Sequence, residues 1–349
     1  MRVVHLPVYY DNAYQRLLMD AQRRLGVETV DGGGGGNFFR TALLRWKADI
    51  LHFHWLHPYM IRPSAAGTVV RSLRLLVELS LLKMFGQRIV WTVHNLKNHD
   101  NRHVRLERWF TKRFVRLASA IIAHSEMARR QAAAAFNIRD DERIHIVPHG
   151  NYIDCYPNEL SSAAAREQLG IDPARILFLF FGRIEPYKEV PHLVREFKTV
   201  PGDVQLLIAG RIADAETAAS IRTEIGGAEN VVFHPGFVAE DRIQLYMNAC
   251  DAVILPYRDV STSGAAMLAM SFGRACIAAK LPGMLELLDD DGAFLYEPNQ
   301  PGALVQAIRA AVASKGDLPK MGTRNRAKIS SNGWDLIARL TVEIYQGVS

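Results

Sequence analysis

A chain of 349 residues, 49% hydrophobic and 22% charged, is too apolar to be disordered and too long for one ordinary core. Two domains of about 150–180 residues each are expected. Three scattered cysteines, Cys155, Cys250 and Cys276, exclude a disulfide framework or a zinc site by their spacing and point to a reducing compartment.

The net charge of +6 is unevenly spread. Met1–Gly150 carries 23 Lys+Arg against 12 Asp+Glu, a net of +11, and Asn151–Ser349 carries 19 against 24, a net of −5. An anionic partner is therefore expected on the first half. The opening MRVVHLPVYYDN is too short an apolar run for a signal peptide, and no window reaches the roughly 18 apolar residues of a membrane span.

In chain order, RVVHL, GVETV, ILHFHW, RIVWTV, AIIAHS and RIHIVPHG read as strands with helical patterns between them. Between the second and third strands stand five glycines, Gly32–Gly36. They lack the spacing of a dinucleotide fingerprint and the Lys-Ser/Thr ending of a Walker loop, so a surface loop is expected. After a polar stretch from Asn151 to Ser162 the rhythm restarts with RILFLFFG, VQLLIAG, NVVFHPG, AVILPY and RACIAA, separated by helices such as Asp214–Ile225 and Asp241–Ala249. Apolar strands alternating with helices predict an α/β chain with two doubly wound, Rossmann-like parallel sheets facing a cleft. The expected domains are 1–155, 156–330 and a last amphipathic helix near 331–349 packing back on the first domain.

The second half carries the clearer chemistry. In LFLFFGRIEPYKEV a strand ends at Gly182-Arg183, and Lys188 precedes a helix beginning near Pro191. A forked cation, a point charge and a helix N-terminus form a clamp for a diphosphate. In ILPYRDVSTSGAAML the hydroxyls of Ser261, Thr262 and Ser263 and the bare Gly264 mark a helix start that an anion can approach.

FGRIEPYKEVPHLVREF, VILPYRDVSTSGAAMLAMSFGRACIAA and IVPHGNY together resemble the donor domain of nucleotide-sugar glycosyltransferases of GT-B architecture. The likeness is to glycosyltransferase family four and its bacterial exopolysaccharide relatives, and DILHFHWLHP and VWTVHNLKNHDNR are similar to mannosyltransferase segments. The resemblance implies that Gly182, Arg183 and Lys188 hold the donor diphosphate. It places Ser263-Gly264 at the distal phosphate or sugar, and Gly236-Phe237 at the base. It also implies a metal-independent hexosyltransferase with no cofactor, the nucleotide diphosphate sugar serving as co-substrate, as GDP-mannose or a UDP-hexose. The family's two glutamates, separated by seven residues, fall here on Val260 and Leu268, so both contacts must come from other groups.

The twelve histidines gather at predicted strand ends. His52 and His54 share one side of a strand without a neighbouring carboxylate or cysteine, so no metal is expected. By resemblance His94 reaches the donor sugar, accepting or donating one hydrogen bond. Asp100 and Asp11 are the carboxylates placed to act as general base in an inverting reaction, and Asp11, His54 and His149 line the acceptor side.

The segment after Asp100 carries Arg105, Arg108, Lys112 and Arg113 among aromatic residues and suits an anionic membrane serving a glycan or lipid-linked acceptor. Thr68–Phe85 reads instead as a core-facing helix with a solvated basic back. Nucleic acid is excluded by the lack of any recognised module. The expected location is the cytoplasm, peripheral at the inner face of the membrane. A nucleotide-sugar epimerase of the same architecture and an inactive glycan- or nucleotide-binding protein are the alternative readings.

Overall fold

The computed structural model describes residues 1–9, 12–33, 47–98, 102–138, 143–260 and 262–348. The chain divides into two compact units, Met1–Gly150 with Asn332–Ser349, and Asn151–Ser331. Each is built on one six-stranded sheet whose described pairings are all parallel.

In the first unit the strands are β1 (Arg2–Leu6), β2 (Glu28–Asp31), β3 (Ile50–Phe53), β4 (Arg88–Thr92), β5 (Ala120–Ala123) and β6 (Ile144–Ile146). Their order across the sheet is β2-β1-β3-β4-β5-β6. Strands β3 and β5 are buried at every position, as two-sided cover by helices requires. The order reverses between β1 and β3, where His5 lies in register with His52. Ligands of doubly wound sheets bind at such a reversal, outside the carboxyl ends of the strands.

The second unit holds β7 (Ile176–Phe181), β8 (Val204–Gly210), β9 (Val231–Pro235), β10 (Ala252–Leu255), β11 (Ala275–Ala279) and β12 (Ala293–Tyr296). The order is β12-β11-β10-β7-β8-β9, with the reversal between β7 and β10. Strand β12, AFLY, was not among the expected strands: it is short, half-buried at two positions and lies at the sheet's end, so it lacks the long apolar run that flags a central strand.

The last helix, Trp334–Val348, packs against Ala13–Arg24 in the first unit. The Tyr345 hydroxyl lies 3.1 Å from Gln22 Nε2 and 2.5 Å from His52 Nδ1. Arg24 pairs with Asp335 at 2.7 Å, and Arg88 Nε donates to the Val348 carbonyl at 2.7 Å. A Cβ on Gly150 would stand 2.6 Å from the Trp334 ring, so the chain there passes flat against the indole. The glycine run begins with a packing constraint. A Cβ on Gly32 would stand 2.2 Å from Leu6 Cδ2 and 2.7 Å from the His5 carbonyl. Gly34, Gly35 and Gly36 lie outside the described residues.

The helix Ala65–Met84 differs from its expected layout. Its inner side buries Thr68, Ser72, Leu75, Glu78, Leu79 and Leu82, with small polar groups among the leucines. Its outer side exposes Val70, Leu73, Val77, Leu81 and Met84, followed by Phe85, with Arg74 the exposed cation among them, so the expected basic back is largely apolar. The helix Val104–Leu117 buries Glu107, Phe110, Thr111, Phe114 and Val115 and turns its cations outward.

Candidate active site

In the second unit three adjacent strands end in glycine, at Gly182 after β7, Gly210 in β8 and Gly236 after β9. Gly182 has φ 111° and Gly236 φ 138°, in the region open to glycine. A Cβ on Gly210 would stand 1.8 Å from the Gly182 carbonyl, so no other residue fits there. The bare Gly210 thus lets two strand ends pack together, while open space beside Gly182 and Gly236 leaves their backbone open to close approach by a ligand. Gly210 was not among the expected site residues, although its place at the end of an apolar strand was legible.

Lys188 stands beside Gly182. Its ammonium lies 4.0 Å from where a Gly182 Cβ would stand and 5.2 Å from the Tyr257 ring centroid. The residue is buried, and desolvation pulls its pKa down to about 8 against the attraction of Glu185. A buried cation without full compensation is a natural partner for an incoming phosphate. Arg183 is 65% exposed and its Nε lies 2.5 Å from Glu185. That carboxylate occupies the guanidinium that the resemblance assigns to diphosphate. Glu189, next to Lys188, has φ 54° and pairs with Arg258 at 3.3 Å.

Across the reversal, Ser263 caps the helix Gly264–Ser271, its buried hydroxyl accepting from Ala266 N at 3.1 Å. Gly264 would carry a Cβ with only the Tyr152 hydroxyl near, at 3.8 Å, so its backbone stays approachable. Phe237 is 65% exposed beside Gly236. Leu268 is buried, so its side chain does not replace the missing glutamate. Ser261 lies outside the described residues.

In the first unit the histidines converge. His5, His52, His54, His124 and His149 are buried, and His94 keeps part of its surface accessible. His54 Nε2 lies 3.0 Å from His5 Nδ1, and His54 Nδ1 lies 3.3 Å from His94 Nε2. His94 Nδ1 lies 3.3 Å from His124 Nε2, whose Nδ1 donates to the Val147 carbonyl at 3.0 Å. The His94 ring stacks on Trp55 at 4.7 Å, with Tyr14 edge-on at 4.9 Å. Desolvation lowers every one of these imidazoles, His5 and His124 to about 4 and His149 to about 3. His52, His54 and His94 fall well below the ordinary value. Burial thus disfavours the charged form at each of these rings.

Three of these residues, His5, His52 and His54, bring ligand atoms within 4.8 Å of one another. Each of their ring nitrogens already has a hydrogen-bond partner, Gln22 on His5 and Thr92 and Tyr345 on His52 completing the set. His54 also lines a pocket with Trp55, His57, Asn95, Lys97 and Glu107. Glu107 is a buried carboxylate that sequence reasoning passed over because it lies in an Arg-rich segment. Desolvation raises its pKa, against hydrogen bonds from Asn98 N at 3.0 Å and Asn98 Nδ2 at 2.6 Å. His149 turns its Nδ1 to the Gly150 carbonyl at 2.7 Å. Asp11, His99 and Asp100 lie outside the described residues.

Two doubly wound parallel sheets, one with glycines and a buried cation at its strand ends, form the GT-B architecture, with a place where a diphosphate can bind. Residues 175–314 match the family model for glycosyl transferases group 1, and residues 36–151 match that for glycosyltransferase family 4. Each match takes in less than half of the chain; together they mark a glycosyltransferase, and the chain is a hexosyltransferase.

Among its relatives is the GDP-mannose:glycolipid 4-beta-D-mannosyltransferase of Xanthomonas campestris pv. campestris, 27% identical over 83% of this chain and 79% of that protein. The alpha-maltose-1-phosphate synthase of Mycolicibacterium smegmatis is 28% identical over 69% of this chain and 66% of its own length. The fold is shared with Anabaena HepE in complex with UDP and glucose, at TM-score 0.77 and 16% identity, covering 98% of each chain. It is shared also with the sucrose-phosphate synthase of Thermosynechococcus elongatus, at TM-score 0.77 and 17% identity over 99% and 98% of the two chains.

Proposed function

We propose that this enzyme transfers a mannosyl or glucosyl group from GDP-mannose or a UDP-hexose to a lipid-linked saccharide during exopolysaccharide synthesis. The observation that carries the acceptor class is the likeness to a mannosyltransferase acting on a glycolipid, which spans most of both chains. In this reading the second unit holds the donor. Lys188 and, after exchanging Glu185 for phosphate, Arg183 grip the diphosphate. Ser263 and Gly264 hold its distal end, and the exposed Phe237 beside Gly236 meets the base.

The first unit holds the acceptor on the side of His54 and His149, with His94, the partly accessible member of the cluster, as the imidazole that meets a sugar hydroxyl. Asp11 and Asp100 stay candidates for the general base on the resemblance alone, and His149 supports the cluster from the acceptor side.

The outer side of Ala65–Met84 favours work at a bilayer. Its apolar stripe lies on a unit with a large cationic excess, and the neighbouring helix Val104–Leu117 turns Arg105, Arg108 and Arg116 outward. Two of the cations expected at the membrane have internal partners as well. Arg108 Nε donates to the Ala135 carbonyl at 3.1 Å, and the Arg113 guanidinium lies over the Trp109 ring. No described helix is long and apolar enough to cross a membrane.

The test is a two-part assay. Thermal shift with UDP, GDP, ADP and TDP selects the base, and transfer from the matching labelled sugar nucleotide to lipid-linked saccharides in anionic vesicles follows. Label in the lipid-extractable product supports the reading. Conversion of the sugar nucleotide with no acceptor present would make the enzyme an epimerase, and tight binding without turnover across the acceptor panel would make it a binding protein.

A further inference from the structure

Five ordered contacts run through the first unit in a line: Gln22 to His5, His5 to His54, His54 to His94, His94 to His124, and His124 to the Val147 carbonyl. A neutral imidazole has one N–H and one lone pair, and the bond made by one nitrogen decides the state of the other. The line has a fixed end. A carbonyl only accepts, so His124 carries its proton on Nδ1 and offers its Nε2 lone pair to His94.

His94 must then be protonated on Nδ1, and its bare Nε2 accepts from His54 Nδ1, whose own Nε2 accepts from His5 Nδ1. At the far end, His5 Nε2 needs a donor. Gln22 presents Oε1 there at 3.0 Å and Nε2 to Tyr345. Turning the carboxamide over exchanges its two isosteric ends, so its NH2 donates to His5 and its oxygen accepts from the Tyr345 hydroxyl. Tyr345 accepts in turn from His52 Nδ1, and His52 Nε2 accepts from Thr92. Every polar atom in the line is then satisfied with no net charge, as its burial demands.

With the Gln22 oxygen facing His5 instead, two carbonyl ends and three internal bonds need five N–H protons on four imidazoles, so the row holds one extra proton. The orientation of one carboxamide thus counts the protons in the row.

We infer that this row is a positioning device: the Val147 carbonyl, acting through His124, holds His94 as its Nδ1–H tautomer. The basic Nε2 of His94 is then its group for substrate. His94 and His54 are 3.3 Å apart at that nitrogen, a long bond into which a sugar hydroxyl can insert, donating to His94 Nε2 and accepting from His54 Nδ1–H. His94 would accept a hydrogen bond there and not donate one. The inference deepens the proposed function by giving His94 one of its two possible roles, and His124 becomes a positioning residue that touches no substrate. Nothing in the row requires a metal at His5, His52 and His54, whose nitrogens are all engaged by these bonds.

The experiment is long-range 1H–15N correlation of the full-length protein labelled in histidine, at neutral pH and without substrate. Signals are assigned by the loss of each in single substitutions. The expected result is Nδ1 protonated and Nε2 bare on His5, His54, His94 and His124. A bare Nδ1 on His94, or four charged rings at neutral pH, would overturn the inference. So would one metal ion per chain by elemental analysis with loss of the N–H signals of His5, His52 and His54.

The variant His124→Phe removes the acceptor for His94 Nδ1–H and should let His94 take the Nε2–H form. Turnover should then drop by more than about tenfold with donor KM little changed, because the required lone pair is no longer presented. His124→Gln, whose amide oxygen can accept from His94, should restore both the tautomer and part of the rate. Unchanged turnover in a folded His124→Phe would refute the positioning role. If that variant does not fold, the wild-type spectrum decides alone. Because the spectrum needs no substrate, its outcome is independent of whether glycosyl transfer to lipid is correct.

Discussion

Lys188 shows how much one residue's burial adds to its sequence context. Its spacing after Gly182-Arg183 marked it as a cation on a loop. Its aromatic neighbours and its pKa of about 8 mark it as a cation waiting for a charge. Lys188→Ala and Arg183→Ala should each weaken nucleoside diphosphate binding by about 1.5–3 kcal/mol, the scale of a hydrogen bond to a charged group. The free nucleoside should be scarcely affected. Isothermal titration with both ligands checks this, and equal losses for the two would mean a folding defect.

The same residue predicts a pH dependence. An incoming diphosphate favours the charged ammonium and so raises its pKa. Affinity should therefore be full below pH 7 and decline as pH rises through about 8, with a proton taken up on binding above that point. Titration in buffers of different ionisation enthalpy measures the proton, and Lys188→Ala should abolish the uptake. Arg183 was equally legible in the chain, but its pairing with Glu185 was not, because two residues apart on a loop says nothing about which way a guanidinium folds.

Among the elements, Ala65–Met84 departs furthest from its pattern. An apolar face directed at the core was the natural reading, and the structure puts leucines on both sides of the helix. A stripe of large side chains in water has a cost that contact with lipid would remove. Val77→Asp with Leu81→Asp should abolish sedimentation with phosphatidylglycerol vesicles. Charge reversal of Arg105, Arg108 and Lys112 should weaken it in a salt-dependent way, each cation contributing on the order of 1 kcal/mol within a Debye length of about 8–10 Å. Donor affinity should not move in either variant. A wild type that ignores such vesicles at low salt would show that another surface or a soluble acceptor is used.

At the scale of the whole chain, the last helix serves the first unit although it follows the second in sequence. Tyr345 joins it to Gln22 and His52, so Tyr345→Phe strips a buried network of one hydroxyl and should cost about 1–3 kcal/mol. Chemical denaturation should show that loss in the first unit's transition, with UDP or GDP still binding the second unit. A change confined to the second unit would contradict the assignment.

What the sequence determined by itself was the alternation of strands and helices, eleven of the strands and the placing of Arg183 and Lys188 on the loop after β7. These are local, since a two-residue or 3.6-residue period and a glycine after an apolar run are written in neighbouring residues. Strand β12 was too short and too half-buried to announce itself. The tertiary structure alone decided which histidines meet. His5, His54, His94 and His124 sit on four different strands or just beyond them, and only the β1-β3-β4-β5 order lays their ends side by side. It also decided which way their titration is pushed, since the desolvation that disfavours the charged form comes from every wall of the site at once and belongs to no single segment of the chain.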